Sequence, residues 1–377
     1  MESSSLIKMY DPSRDYKKHR PEYDATMMQI AKSGKFINGP QVIELEKNLT
    51  EYVGRECITV SSGTDALLIA LLALNIKPDD EIITTPFTWI SSVEVIMLIG
   101  AKPVFVDIDK STFNIDPTLI EAKLTTKTKA MIIVDLFGQM ADYSIINKIA
   151  NKYHIPVIQD FAQAFGAEQD DIKAGNQGLI SCTSFFPSKP LGCYGDGGAC
   201  FTDDKRLAEI MRNIRNHGSV VKNLHTRLGI NGRLDTLQAG ILLVKLKYFE
   251  ESRKQRRIIA KIYEKKLNYQ YWLESTPIKL PKTLKNNVHV YATYTIRVND
   301  RDGLLKFMKE NEVELSVFYP RCLHEQPVFF QFGYRKGDFP VAEKVANEVI
   351  SLPCYPELEE WEQRTIISLI KSYLKLV

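Results

Sequence analysis

Several things are missing from this chain, and each absence removes a class of function. No apolar run is long enough to cross a bilayer, so a membrane-spanning protein is excluded at the level of helices. Met1 to Arg20 is polar and charged and has no apolar core of a signal peptide, which gives the expectation of a cytoplasmic protein. There is little charge of either sign in excess: 49 basic against 46 acidic residues leaves a net charge of +3. Neither a nucleic-acid partner nor a membrane partner is expected from that balance. The six cysteines contain no C-x-x-C pair, so neither a zinc ribbon nor a redox pair is indicated. Several stand in apolar strands and read as buried free thiols of a reducing compartment. No G-x-x-x-x-G-K-[ST] element is present, and Gly192-Cys193-Tyr194-Gly195 does not match a dinucleotide fingerprint. No internal repeat and no low-complexity tract is visible.

What is present is enough apolar material, 44% of 377 residues, for a large core. Strand-like segments at Cys57–Val60, Glu81–Thr84, Pro103–Val106, Lys129–Asp135, Pro156–Asp160, Ile180–Phe186 and Gly198–Thr202 alternate with helical ones. The helices are expected at Thr64–Leu74, Ile90–Leu98, Pro117–Leu124, Ser144–Tyr153 and Lys205–Asn213. Such alternation predicts an α/β domain with a mostly parallel sheet. Upstream, residues 1–20 are expected to run along the surface, with helices at Asp24–Ser33 and Val42–Val53. Leu234 to Arg257 reads as one long amphipathic stretch leading to a small α+β domain. That domain would hold a strand at Tyr291–Val298, a helix at Asp302–Asn311 and a terminal helix from about Leu358. The boundary is placed at 250/251.

The chemistry centres on Ser184-Phe185-Phe186-Pro187-Ser188-Lys189-Pro190-Leu191-Gly192-Cys193-Tyr194-Gly195-Asp196-Gly197-Gly198. Prolines on both sides of Ser188-Lys189 forbid helix or ladder there and stiffen the loop. A single amine on a stiff loop suits a lysine that bonds covalently to a carbonyl. A solvated turn lysine is the commoner use of such a residue. Upstream, Asp160 ends the apolar strand Pro156–Asp160, where parallel sheets bind ligands. Alone it reads as a helix N-cap. A carboxylate to hold a pyridine nitrogen protonated and a lysine to hold the aldehyde are the two groups a pyridoxal phosphate site requires. Ser62-Gly63-Thr64, between a strand and a helix, offers backbone N–H groups and a hydroxyl to an anion.

These elements resemble the nucleotide-sugar aminotransferases (DegT/DnrJ type) among fold-type I pyridoxal phosphate enzymes. The resemblance rests on Phe36-Ile37-Asn38-Gly39-Pro40, Ser62-Gly63-Thr64-Asp65-Ala66-Leu67, Pro86-Phe87-Thr88-Trp89 and Asp160-Phe161-Ala162-Gln163. It continues through the Lys189 loop, Asn216-His217-Gly218 and Asn231-Gly232-Arg233-Leu234-Asp235, all in the family's order. It implies that Lys189 and Asp160 are catalytic and that Gly63, Thr64 and Ser184 meet the cofactor phosphate. It implies further that Trp89 stacks on the pyridine, that Gln163 lies near the phenolic oxygen, and that Asn231 reaches the phosphate of a partner subunit in a homodimer with shared sites. His217, Arg233, Tyr319, Arg321 and His324 are candidates for the substrate side. Three positions depart from the pattern: Phe318 stands where many relatives have histidine, and Gln159 and Phe161 replace a commoner acid and alanine. The implied reaction moves the amino group of L-glutamate, leaving 2-oxoglutarate, to a keto sugar of a nucleotide-linked hexose. A UDP-linked 3-keto sugar is the first expectation, with a 4-keto sugar or dTDP open. A sugar dehydratase of the same fold would carry histidine at the Lys189 position. A regulatory relative without turnover would have no need of Asp160, Gln163 and Lys189 together.

Overall fold

The computed structural model describes residues 6–268 and 276–376. Its centre is a seven-stranded sheet in the order Glu56–Val60, Gly198–Thr202, Ile180–Ser184, Val157–Asp160, Thr128–Val134, Glu81–Thr84, Lys102–Phe105. The last five strands pair in parallel, whereas Gly198–Thr202 runs antiparallel to both of its neighbours. All seven expected strands are present, within two residues at either end.

The sheet is covered on both faces, which is why its strands read as continuous apolar runs. Side chains alternate between two cores. Cys57, Ile83, Met131 and Ile133 pack with Val42, Leu45 and Leu49 of helix Pro40–Val53 and with Ile146 of helix Tyr143–Tyr153. Ile58, Ile82, Ala130 and Ile132 pack with Leu67 and Leu71 of helix Gly63–Ala73 and with Met211 of helix Lys205–Arg215. Each such aliphatic side chain contributes about 1.5–3 kcal/mol on full burial. Capping fixes where helices start: Asp204 accepts N–H bonds from Arg206 and Leu207.

A separate apolar cluster joins Ile259, Tyr263, Tyr294, Ile296, Leu304, Ile350 and Ile366. It is built on a three-stranded sheet, Ile278–Lys279, Tyr294–Val298 and Val349–Leu352, with helices Arg301–Glu310 and Glu360–Leu374. The expected terminal helix and the helix at 302–311 are both there. Helix Phe249–Leu267 straddles the two bodies: Phe249 packs into the sheet's core, whereas Ile259 onward packs into the second cluster.

Three local expectations need correction. Residues 7–20 do not merely skirt the surface. Ile7 is buried in the second cluster and pairs with Val313, and a helix begins at Pro12, capped by Asp11. Pro21 masks that start, because proline inside a helix is rare; here the chain kinks at His19 instead. Residues 1–5 lie outside the described residues. Pro117–Leu124 is two short 3-10 turns, Pro117–Leu119 and Glu121–Lys123. Leu234 to Arg257 is not one stretch: helix Thr236–Lys247 ends at Tyr248 and a second helix starts at Phe249.

Candidate active site

The Lys189 loop leaves the sheet after Ile180–Ser184 and folds back on itself. Cys193 N–H donates to the Phe185 carbonyl at 2.7 Å, and Lys189 N–H to the Phe186 carbonyl at 2.9 Å. Gly192 sits where any side chain would collide: a Cβ there would lie 2.5 Å from the Pro187 carbonyl oxygen. The turn therefore depends on glycine, and it holds Lys189 in one place. Among the described residues, the amine makes no hydrogen bond or ion pair. The protein packed around it pushes its pKa down, opposed by the negative charge of Asp160.

Asp160 is the last residue of its strand, flanked in register by Val134 and Cys182. It is only 8% exposed. Burial pushes its pKa up; the Ala162 N–H, the Lys189 charge and Ser92 work in the other direction. Ser92 Oγ donates to Oδ2 at 3.0 Å and Ala162 N–H to Oδ1 at 3.2 Å. Each carboxylate oxygen thus has a donor, which supports the ionised form.

Helix Gly63–Ala73 begins beside the end of the Lys189 strand. A Cβ on Gly63 would fall 2.6 Å from Ser184 Cβ, so Gly63 and Ser184 are in direct contact. Ser62 caps the helix through the Asp65 N–H at 3.0 Å. Thr64 Oγ1 lies 2.7 Å from Ser91 Oγ. A helix N-terminus with two hydroxyls at its mouth and a glycine at its first position is a cradle of the size and polarity of a phosphate.

Gln163 is fixed at both ends. Its Oε1 accepts the Phe137 N–H at 2.9 Å, and its Nε2 donates to Tyr319 Oη at 3.1 Å. Tyr319 thereby brings the C-terminal third of the chain to the sheet edge. Its ring lies 6.1 Å from that of Trp89, tilted by 38°. Burial, first, and the Asp160 charge raise the Tyr319 pKa. Trp89 is 58% exposed, leaving ring surface free for a flat ligand.

The remaining candidates divide. Arg233 Nη1 donates to Asn216 Oδ1 at 2.7 Å. Its buried Nε has no partner among the described residues. Asn231 is exposed and bridges Asn216, and the next residue, Gly232, accepts the Ser61 N–H at 2.9 Å. His217 is exposed; its carbonyl takes a bond with His225 Nδ1 at 2.9 Å. Arg321 is exposed, two residues from Tyr319. His324 lies inside the protein. It is fully buried, its Nε2 lies 3.0 Å from Glu343 Oε1, and its ring packs 4.8 Å from Phe339.

The sequence reading missed Ser91 and Ser92. A serine pair at a helix start reads as a cap, and nothing local distinguishes a serine that points elsewhere. Among the described residues, no group of three or more His, Cys, Asp or Glu could hold a metal ion.

The family model of the DegT/DnrJ/EryC1/StrS aminotransferases matches residues 17–371. The chain belongs to this family. A UDP-2-acetamido-2-deoxy-3-oxo-D-glucuronate aminotransferase of Pseudomonas aeruginosa is 44% identical over 94% of this chain and 96% of its own. A pleiotropic regulatory protein of Geobacillus stearothermophilus is 43% identical over 98% of this chain and 99% of its own. Among solved structures, S. venezuelae DesV in complex with a ketimine intermediate superposes with a TM-score of 0.94 at 32% identity, covering 99% of both chains. The protein is accordingly an aminotransferase of the fold-type I architecture that uses pyridoxal 5'-phosphate. The residues fit that cofactor: a helix N-terminus packed against Ser184, a buried carboxylate and a lysine without a hydrogen bond or ion pair among the described residues lie at the carboxyl ends of two neighbouring strands. Among the described residues no helix is long and apolar enough to cross a membrane.

Proposed function

We propose that this aminotransferase carries the amino group of L-glutamate to the C3 ketone of a UDP-linked hexose, for amino-sugar and surface-glycan synthesis. The observation that carries the reading is the meeting of Lys189, Asp160 and the Gly63–Ser184 cradle at the carboxyl ends of two neighbouring strands in a member of this family. The UDP-linked 3-oxo substrate named for the Pseudomonas relative supports the choice of sugar.

Bound pyridoxal phosphate supplies an electron sink and an amine carrier. Asp160, whose pKa is raised by burial and only partly pulled back by its two donors and the Lys189 charge, would be the carboxylate partner that holds a proton on the ring nitrogen. Gly63, Thr64 and Ser184 hold the phosphate, and Trp89 covers a ring face. Lys189, with its basicity lowered, carries a proton to and from the carbon that gains or loses the amine. Gln163, held by Phe137, presents a fixed amide at the ring's edge. Tyr319, Arg321, His217 and Arg233 face the sugar nucleotide. Asn231 reaches the phosphate of a second subunit, so that a homodimer holds two shared sites.

The test is turnover of UDP- and dTDP-linked 3-keto and 4-keto sugars with glutamate, read by mass spectrometry. Amination of the UDP-linked 3-keto sugar together with formation of 2-oxoglutarate is expected. Preference for a 4-keto or dTDP-linked sugar overturns the substrate assignment. The name of the Geobacillus relative favours a second reading, a regulator without turnover. Absence of any transamination with cofactor covalently bound supports that one. Mixing Lys189→Ala with Asn231→Ala protein tests the shared site: exchanged subunits should regain activity that neither parent has.

A further inference from the structure

Helix Ser91–Leu98 begins with two serines, and neither does what serines at a helix start ordinarily do. The N-cap position is Ile90, and no side chain caps the first turn. Both hydroxyls instead turn outward and are buried, Ser91 at 7% and Ser92 at 1% exposure. Ser91 Oγ meets Thr64 Oγ1 at 2.7 Å, at the phosphate cradle. Ser92 Oγ donates to Asp160 Oδ2 at 3.0 Å, at the carboxyl end of strand Val157–Asp160. Two adjacent residues thus bind the two ends of the site. The helix they start is anchored by buried Val93, Val95 and Ile96, so the bracket is rigid.

We propose that Ser91 and Ser92 are positioning residues that together set the span between the phosphate cradle and Asp160, Ser91 acting on the phosphate end and Ser92 on the ring end. This rests on the roles given above to Thr64 and Asp160. Ser91 orients the Thr64 hydroxyl toward the anion. Ser92 supplies one of the two donors to the Asp160 carboxylate and the Ala162 N–H supplies the other; the Lys189 amine, the Tyr319 and Tyr143 phenols, the Cys182 thiol and the Asp135 carboxyl are the titratable groups coupled to it. Losing the Ser92 donor raises the pH at which that carboxylate becomes charged.

The two ends can be separated with two ligands, pyridoxal phosphate and pyridoxal, which lacks the phosphate. Ser91→Ala should weaken pyridoxal phosphate by roughly threefold to tenfold, the net weight of one neutral hydrogen bond, and leave pyridoxal unchanged. Ser92→Ala should weaken both ligands by a similar factor. It should also move the pH midpoint of the bound cofactor's visible absorbance upward. Ser92→Thr, which keeps the hydroxyl, should restore the midpoint. Equal losses for both ligands in both variants, or an unmoved midpoint in Ser92→Ala, overturn the proposal. Circular dichroism of each variant separates misfolding from local loss, and the Thr variant carries the test if an Ala variant unfolds. Wild-type protein that takes no covalent cofactor at Lys189 would instead overturn the reading of the site itself.

Discussion

At the cofactor end of the site, Asp160 is 8% exposed and both of its oxygens have donors. At the outer end, His217 and Arg321 stand on the surface. The first region is preorganised: burial makes the charge expensive and raises the Asp160 pKa, and fixed donors reduce part of that cost before any ligand arrives. The second is open, with side chains that gain partners only from what binds. Chemistry common to a family needs the first kind of construction, whereas choice among sugars needs the second. Mutations in the two regions should therefore fail differently, the inner ones in rate and the outer ones in substrate binding.

Lys189→Ala should show the largest effect. On the proposed reading it would remove the proton carrier and the covalent hold, and a loss of about 10²-fold to 10⁴-fold in kcat is expected from the acid–base role alone. Borohydride reduction of wild-type holoenzyme with peptide mapping should label Lys189. A label on another lysine would erase the contrast between the two regions at its inner pole. Asp160→Asn comes next. It keeps the hydrogen-bonding shape and removes the charge, so cofactor should still bind while kcat drops by about 10²-fold to 10³-fold. Turnover near wild type would show that the buried charge does not do electrostatic work on the ring.

Tyr319→Phe probes the join between the regions. Gln163 Nε2 loses its acceptor, and an amide left unpaired there costs on the order of 1–3 kcal/mol. The expected result is a roughly tenfold fall in kcat/KM, the smaller part of that cost, divided between KM and kcat because Tyr319 touches both sides. A change confined to thermal stability would place Tyr319 among packing residues.

The same division explains what was legible in the chain. The sheet strands could be read because burial on both faces makes them apolar throughout, and prolines and glycines mark the Lys189 loop. Asp160 and Lys189 are chemically loud residues at strand ends. Ser91 and Ser92 are quiet: their partners, Thr64 and Asp160, lie 27 and 68 positions away. No local pattern encodes such contacts. His324 is a candidate through its nearness in sequence to Tyr319 and Arg321, and only the fold shows Glu343 and Phe339 around its ring. Pro21 hid the helix start at Pro12 because local propensity argues for a break there, and anchoring by Tyr23 and Ile30 in the packed body overrides it.

The smallest expected effect on turnover lies at the seam between the regions. His289 is 5% exposed, stacks 3.9 Å from Tyr291 and lines one small internal space with Phe137, whose N–H holds Gln163. Burial pushes its pKa down to about 3. The sign then follows. The unfolded chain protonates this imidazole near pH 6.5 and the folded chain does not until about pH 3, so stability is intact above 6.5 and drains away as pH falls toward 3. At pH 5 the loss from this one group is about 2 kcal/mol. His289 Nδ1 accepts the Tyr291 N–H at 2.9 Å, and an asparagine oxygen can take the same bond. His289→Asn should therefore leave turnover at neutral pH unchanged while flattening the fall in Tm between pH 7 and pH 5. If the variant instead loses activity at neutral pH with its Tm intact, the seam belongs to the inner, preorganised region, and the line between the two halves of the site must be redrawn through His289.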